Sequence, residues 1–550
     1  MTASIDITPA QRKTLLEYLA RYIPGVEVWA YGSRVKWTAR PNSDLDLVAF
    51  AESAQLNRVA ELKDSLAESN LPFLVDLHVW SEVPERFHEI IREEYVVLQS
   101  KAGVGPKAGV AGEWRRVTIA EVCELIVDCV NKTAPVVEEH TPYKMLRTTN
   151  IKGGRIDREE CRRVSKDTFA KWTRRADVRQ GDVILTREAP LGEVGYVDFT
   201  DSVFLGQRLM QYRANPALLE PRFLLYSFLS KDLQNQFGAH EGSGSTVSHI
   251  RVGDCSKFKL SLPPLAEQKA IAGILGALDD RIELNRRMNA TLEALARALF
   301  QSWFVDFDPV RAKAEGRQPV GMDAATAALF PAGFQDSEIG EIPKGWRACP
   351  LSEVIEINPR RTLKSGTVAP YLDMKNLPTR GHSADDVIDR EFTSGTKFRN
   401  GDTLLARITP CLENGKTGYV DFLLDGQIAW GSTEYIIFAP KPPLPPQFGY
   451  LLARSDELRA HAIQNMTGTS GRQRVPAECF DKFMLAVPPI QVAHRFDGLT
   501  APIMAQIKAN ADQSRTLADL RDTLLPQLLS GELSVPAGLL ARPLANNLLN

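Results

Sequence analysis

No Cys-x-x-Cys pair occurs anywhere in the chain, and its seven cysteines are scattered and odd in number. That excludes a disulfide framework or a zinc knuckle and points to reduced thiols in a cytoplasmic setting. No apolar run approaches membrane-spanning length, and the opening MTASIDITPAQRK is too polar for a signal peptide, so no membrane partner is expected. The eight histidines are not spaced as metal ligands. Net charge is nearly absent as well: 66 Lys/Arg against 68 Asp/Glu leave −2. What charge there is lies unevenly. Residues 1–100 hold 10 basic against 15 acidic residues, and residues 114–260 hold 23 against 19. The run RIDREECRRVSKDTFAKWTRRADVR, residues 155–179, has nine basic and five acidic side chains. It is either a phosphate-binding footprint or a solvated mixed-charge face.

What the chain does have is an internal repeat. At 550 residues it is too long for one core. Trp114-Arg115 recurs as Trp346-Arg347, and GDVILTREAPLGEVGYVDF (181–199) as GDTLLARITPCLENGKTGYVDF (401–422). A third block, residues 223–265, recurs at 448–490 and carries Pro-Pro just before its last residue both times. Repeats of this size mark duplicated structural units. Within each unit Gly-Asp before an apolar run reads as a turn into a buried strand, and EPRFLLYSFLSKDLQNQF as an amphipathic helix. After each Pro-Pro comes a long helical pattern. In the first, a 4-3 seam runs through Ile271, Leu275, Leu278, Ile282, Asn285, Asn289, Leu292, Ala296, Leu299 and Trp303. That spacing makes a two-helix seam, with polar residues in the middle to fix register. Forty residues of helix span about 60 Å. The second seam, Leu499, Ile503, Ile507, Asn510, Ser514, Leu517, Leu520 or Arg521, and Leu524, is weaker, and Pro526 is expected to stop it. The expectation is that the two helices pair antiparallel; the alternative is that each packs only on its own unit.

Two similar heads on such a spacer form a pseudo-two-fold object, the geometry with which dimeric DNA readers contact half-sites about 34 Å apart. Because the heads differ in sequence, a bipartite and asymmetric target is expected. The order Trp-Arg, LSLPPLAEQKAIAGILGALDDRIELNRRMNATLEALARALFQSWF, a second unit, LAVPPI and LLPQLLSGEL resembles the specificity subunits of type I restriction–modification systems. The resemblance covers about residues 114–535. It implies two target-recognition domains on antiparallel helices, double-stranded DNA as ligand, and docking of DNA adenine methyltransferase (modification) subunits and restriction subunits. Methyl transfer and DNA cleavage would belong to those partners, and no cofactor is implied for the DNA-reading part. Residues 114–535 contain neither a Gly-x-x-x-x-Gly-Lys-Ser/Thr loop nor an Asn/Asp-Pro-Pro-Tyr/Phe motif. One departure is IQVAHRF, where a Glu-Gln version is usual.

Base edges are read by Arg, Lys, Asn and Gln, and phosphates by Arg, Lys, Ser, Thr and backbone N–H groups. Equivalent loops in the two heads supply candidates. GSGSTVSHIR (242–251) offers Ser245, Thr246 and Arg251, and its counterpart TGTSGRQRV (467–475) offers Arg472 and Arg474. Each loop is either a DNA contact or a plain turn. LRTTNIKGGRI (146–156) offers Arg147, Asn150 and Lys152, matched by Lys375, Asn376 and Arg380 of LDMKNLPTRG. Arg187 and Arg407 follow the Gly-Asp strands and either contact DNA or pair with an acid.

The first hundred residues are different in kind. Thr8 and Pro9 open an amphipathic helix, and VEVWAYGS, DLDLVAF and LPFLVDLHVW read as strands. Residues i and i+2 of a strand share a face, so Asp44 and Asp46 project together, and Asp76 of the third strand can join them. Converging carboxylates repel unless a hard cation such as Mg²⁺ relieves them. Gly32 permits close approach, and Ser33 with nearby N–H groups suits a phosphate. Gly-Ser, ten residues, Asp-x-Asp and a later strand carboxylate resemble the minimal nucleotidyltransferase domain of antitoxins over residues 8–100. The resemblance implies Mg²⁺-dependent transfer of a nucleoside monophosphate from ATP to a hydroxyl. Asp44 and Asp46 would bind metal, Asp76 would activate the acceptor, and Gly32 and Ser33 would hold the nucleotide. Lys36 and Trp37 depart from the pattern, Trp37 narrowing the pocket.

The expected fold is an α+β multidomain chain: a small α/β nucleotidyltransferase-like domain (1–100), a linker (101–113) and a first α/β target-recognition domain (114–264). A central long helix (265–305), a connector (306–345), a second target-recognition domain (346–489), a C-terminal long helix (490–535) and a tail (536–550) follow. The expected function is a DNA-specificity subunit. The alternative is a nucleotidyltransferase whose repeat only binds its acceptor.

Overall fold

The computed structural model describes residues 5–36, 39, 43–51, 55–67, 69, 71–84, 87–88, 91, 95–99, 114–240, 249–384, 386–469 and 471–536. Trp37, Ser245, Thr246, the linker and the tail from residue 537 lie outside them.

The N-terminal domain has its own core. Helix α1 (Pro9–Tyr22) starts at Thr8, whose hydroxyl accepts from Gln11 N while the Gln11 side chain accepts from Thr8 N. Strands β1 (Val28–Tyr31), β2 (Leu45–Ala49), β3 (Val75–Val79) and β4 (Val96–Gln99) form one sheet in the order β3-β2-β1-β4. The β2–β3 pair is parallel and the others antiparallel. Helix α2 (Leu56–Ala67) is the crossover a parallel pair requires. Val28, Ala30, Leu45 and Leu47 are buried with Leu15, Leu19, Val59 and Leu62 of the helices. Alternation then sends Tyr31 and Asp46 to the opposite face.

The repeat seen in the sequence is a repeat in topology. In the first head, strands 191–196, 183–187, 209–214 and 123–128 lie in that order, all antiparallel. In the second, 417–419, 403–406, 435–440 and 355–357 do the same. Each central strand starts from a left-handed glycine, Gly181 or Gly401, followed by a buried aspartate. Asp182 accepts from Arg179 N at 2.7 Å and Asp402 from Arg399 N at 2.8 Å, which closes the turn in both heads. Asp182 also meets Arg213, and Asp402 meets Arg361. Each head is closed by a two-stranded pair that joins its first strand to the strand before Pro-Pro, 115–118 with 259–262 and 347–350 with 484–487.

The long helices run Leu265–Phe304 and Ile490–Leu529 and pack against each other. The first head's core takes Ile271 and Leu275 from the start of the first helix and Leu528 from the end of the second. The second head's core takes Phe300, Trp303 and Phe304 from the end of the first and Val492, Phe496 and Met504 from the start of the second. The helices are therefore antiparallel, and each head grips both. Midway the seam turns polar. Asn285, fully buried, donates to Gln513 Oε1 at 2.9 Å, Ser514 Oγ at 3.2 Å and Asn510 O at 3.3 Å. Asn289 donates to Ile507 O and accepts from Asn510. These partners exist in one register only, so a slip leaves buried amides unpaired.

Pro526 does not end the second helix, contrary to the sequence expectation. The last turn carries Leu524, Leu525, Leu528 and Leu529 into the first head's core, and that burial offsets one missing backbone bond. The departure at IQVAHRF also has an answer. Gln268 fastens the first helix through Glu220 N, Leu218 O and Pro263 O. At the second helix Gln447 does this work from the other side, donating to Asp497 and Thr500. The connector contains helices 308–314 and 324–328 and a hairpin, 334–337 with 340–343, and it fills the second head's core with Phe307, Val310, Phe330 and Ile342.

A charged knot holds the first head's 151–156 hairpin to the first long helix. Glu283 bonds Arg286 and Arg287 at 2.8 Å and lies 3.5 Å from Arg155. Burial alone pushes the Glu283 carboxyl up, but the arginines hold it down at about 2 against an ordinary 4.5. Its ionised form is the one the fold favours, so its stabilisation is full above pH 4.5 and lost as pH falls toward 2. Thermal melts should show Glu283→Gln less stable than wild type at neutral pH, with the gap shrinking through that window.

Candidate active site and nucleic-acid interface

Parallel pairing sets Asp46 of β2 directly beside Asp76 of β3, and antiparallel pairing sets Tyr31 of β1 on its other side. Asp44, exposed, precedes β2 by one residue on the same face. Burial, then the charges of Asp76 and Asp44, push the Asp46 carboxyl above its usual range, and His78 opposes this. Burial with Asp46 and Asp76 raises the Tyr31 phenol to about 12. Gly32 has φ +83°, and a β-carbon there would fall onto the Asp46 carboxylate. Only glycine fits.

The three aspartates do not form a finished cage. Among the described residues no group of three or more His, Cys, Asp or Glu side chains is gathered tightly enough to hold a metal ion. Like charges spread, and Asp76 Oδ2 instead meets His78 Nε2 at 3.1 Å. The donor set still fits Mg²⁺, which takes one or two carboxylates and completes its shell with substrate phosphates and water.

Two residues of this site went unremarked in the sequence. His78 shares the face of Asp76 on β3. Arg34, next to Ser33, is buried and donates to Ser43 O through Nε and Nη2 at 3.0 and 2.8 Å and to Asp6 O through Nη1 at 2.8 Å. It fixes the chain immediately before Asp44 and stacks over Phe73. Arg34→Met strands those carbonyls and is expected to cost the domain about 2–5 kcal/mol, read by denaturant unfolding of the full chain.

In the heads, the candidate DNA residues divide. Lys152 and Arg251 are exposed, Lys152 paired with Arg155 in a hairpin turned by Gly153 and Gly154. Lys375 is exposed and Arg472 likewise. Arg474 is half exposed and held by Glu434. Asn150 is a correction: it is 3% exposed and accepts from Arg147 N, capping a helical turn, so its amide edge faces the interior. Arg147 donates to Glu160 O, and Asn376 to Asp386 O, so both brace their own loops. Arg187 donates to Ile250 O. Arg380, the third candidate of its loop, pairs with Glu159 of the first head, so the heads touch beside the helices.

Residues 13–102 match the family model of polymerase beta, nucleotidyltransferase, and residues 111–294 that of the type I restriction modification DNA specificity domain. The type I restriction enzyme HindI specificity subunit of Haemophilus influenzae is 24% identical over 406 residues, 65% of this chain and 87% of that protein. The probable protein adenylyltransferase MntA of the same organism is 43% identical over 101 residues, 18% of this chain and 88% of that protein. A type I restriction–modification S subunit from M. genitalium, known as a crystal structure, has a TM-score of 0.43 at 16% identity, covering 77% of this chain and 97% of that one. Two unlike heads on a shared helical rod, preceded by a nucleotidyltransferase domain, define a double-headed specificity protein with an added module. The chain carries a type I restriction–modification DNA specificity domain, shares the order and extent of type I specificity subunits over most of their length, and carries a polymerase-beta-type nucleotidyltransferase domain at residues 13–102. Among the described residues no helix is long and apolar enough to cross a membrane.

Proposed function

We propose that the two heads read a bipartite, asymmetric duplex DNA target and that the paired helices dock DNA adenine methyltransferase subunits, with restriction subunits joining the full complex. The observation that carries this is the shared grip: each head buries one end of each helix, so two unlike readers are held at a set distance. Docking of a helical partner is supported by Leu284, Met288 and Leu295, which are exposed on the first long helix. Their spacing of four and seven residues places them on one face. Methylome sequencing of cells expressing this chain with its modification subunit tests the reading. A split adenine-methylated sequence with an unread spacer is expected; scattered or absent methylation sinks it. Replacing Arg472 and Arg474 together should weaken one half-site and flatten the salt dependence of binding.

We further propose that the N-terminal domain transfers a nucleoside monophosphate from ATP to a hydroxyl acceptor: the acceptor oxygen bonds the α-phosphorus, the α–β anhydride breaks, and pyrophosphate leaves. Asp44 and Asp46 would hold Mg²⁺, which supplies neutralisation of the nucleotide phosphates. Gly32 lets the chain turn tightly against Asp46, Ser33 and nearby N–H groups take a phosphate oxygen, and Asp76, braced by His78, accepts the proton of the acceptor hydroxyl. Asp44→Ala should abolish nucleotide transfer and leave DNA methylation intact. Loss of both together would mean that the domain serves DNA reading instead.

A further inference from the structure

In both heads an arginine stands at the end of the strand after Gly-Asp: Arg187 is its last residue in the first head, and Arg407 follows it directly in the second. The backbone around these two is threaded identically. Arg187 N donates to Arg208 O at 2.8 Å, and Arg407 N donates to Glu434 O at 2.9 Å. Ile250 N donates to Arg187 O, and Val475 N donates to Arg407 O, both at 2.9 Å. Strand register agrees: Thr186 faces Leu209, and Ala406 faces Tyr435. Arg208 and Glu434 therefore occupy one position of the fold, and His249 and Arg474, each one residue before the backbone donor, occupy another.

The shared arginines carry a second common feature. Nε of Arg187 and Nε of Arg407 are both buried without a hydrogen-bond partner among the described residues. A group placed alike in both heads cannot tell one half-site from the other. The neighbouring position can, because its charge is reversed. In the first head it is Arg208, held in the left-handed region at φ 71° with its guanidinium 3.5 Å from Glu188. In the second it is Glu434, which grips Arg474 through Nε at 2.9 Å and Nη2 at 2.7 Å while about half of the Arg474 side chain stays exposed. Both heads thus present an exposed arginine braced by a less exposed carboxylate, built from opposite corners of one frame. A braced guanidinium loses less freedom on binding, and its fork matches O6 and N7 of guanine.

We infer that this corner is where each head reads a base, from a different point of the shared frame in the two heads. Arg208, positioned by Glu188, reads a guanine in one half-site, and Arg474, positioned by Glu434, reads a guanine in the other. Arg187 and Arg407 contact the phosphate backbone in both. The inference rests on the DNA-reading function proposed above.

The test uses the full-length chain with its modification subunit and a library of duplexes randomised across the target. Bound duplexes are sequenced for wild type, Arg208→Ala, Glu434→Gln and Arg407→Gln. Arg208→Ala should lower a guanine preference in one half by about ten- to hundredfold and leave the other half unchanged. Glu434→Gln should do the reverse, although Glu434 itself need not touch the base. Arg407→Gln should weaken binding without changing the consensus and reduce the salt slope by about one contact. Glu434→Asp, which keeps the charge but retracts it, serves if Glu434→Gln melts early. If Arg208→Ala and the Glu434 variants leave both halves of the consensus as in wild type, or blur both halves equally, the inference is wrong. If wild type itself enriches no split sequence, the DNA-reading function falls and the inference falls with it.

Discussion

Inserting one heptad into each long helix, between Asn289 and Leu292 in the first and between Ile503 and Ile507 in the second, is expected to destroy recognition of the native DNA target. Seven residues add about 10 Å to a helix. Over that distance duplex DNA advances about three base pairs and turns by roughly a quarter of a revolution. A heptad keeps the apolar seam in phase, so the heads separate without a matching rotation. One head then arrives off its half-site. The lost simultaneous engagement should lower affinity for the native sequence by about 10²–10⁴-fold, because the second contact no longer acts at high effective concentration. Selection from duplexes with varied spacers should recover longer ones. The site of insertion matters: head-anchoring residues Leu275 and Asp279 lie before it in the first helix and Glu293 and Phe300 after it, with Tyr226 bonded to Asp279 and Tyr450 to Glu293. The Arg380–Glu159 pair between the heads would break, at little cost for so exposed a contact. Unchanged preference for the native spacer would mean that the rod does not set the distance.

Gly32→Ala is expected to abolish nucleotide transfer as completely as removal of Asp46, a loss of at least about a hundredfold, while methylation of the split DNA site continues. The cause is steric. At φ +83° an L side chain is strained, and its β-carbon would sit on the Asp46 carboxylate. To make room the Asp46 carboxylate has to swing out of its place between Tyr31 and Asp76, and the site loses that ligand's position. The domain itself should stay folded, since its core of Leu15, Leu19, Leu45, Leu47 and Leu62 lies across the sheet from Asp46. Transfer of labelled nucleotide from ATP to any protein or RNA in a lysate, with the melting temperature as a control, reads the outcome. Full activity in a folded variant would exclude this face as the reaction site.

Both results depend on features that were legible at different depths. The long-helix seam could be read because apolar residues recur at 4-3 spacing whatever lies opposite. Asp44, Asp46 and Asp76 could be placed on one face because strand alternation has a period of two. Arg34 could not be read as buried. An arginine defaults to solvent, and only the carbonyls of Ser43 and Asp6, closing around it, make burial tolerable. Asn150 misled in the opposite sense. In a glycine-rich loop its amide resembles a base reader, but the chain uses it to cap its own turn. Pro526 misled for a third reason: a local helix breaker was outweighed by the core that its turn enters.

By itself the sequence determined the duplication, the alternation within strands, the helical seams and the Gly-Asp turns, because each is a periodic or short-range pattern whose physics lies within a few neighbouring residues. Only the tertiary structure decided which polar side chains are consumed inside and which are left for a ligand. Asn285 meets Gln513 across 228 positions, Arg34 reaches back 28 to Asp6, and Arg474 finds Glu434 from 40 residues away. A hydrogen bond or ion pair needs its partner within about 3 Å, and a chain specifies that distance between remote residues only once every core has packed.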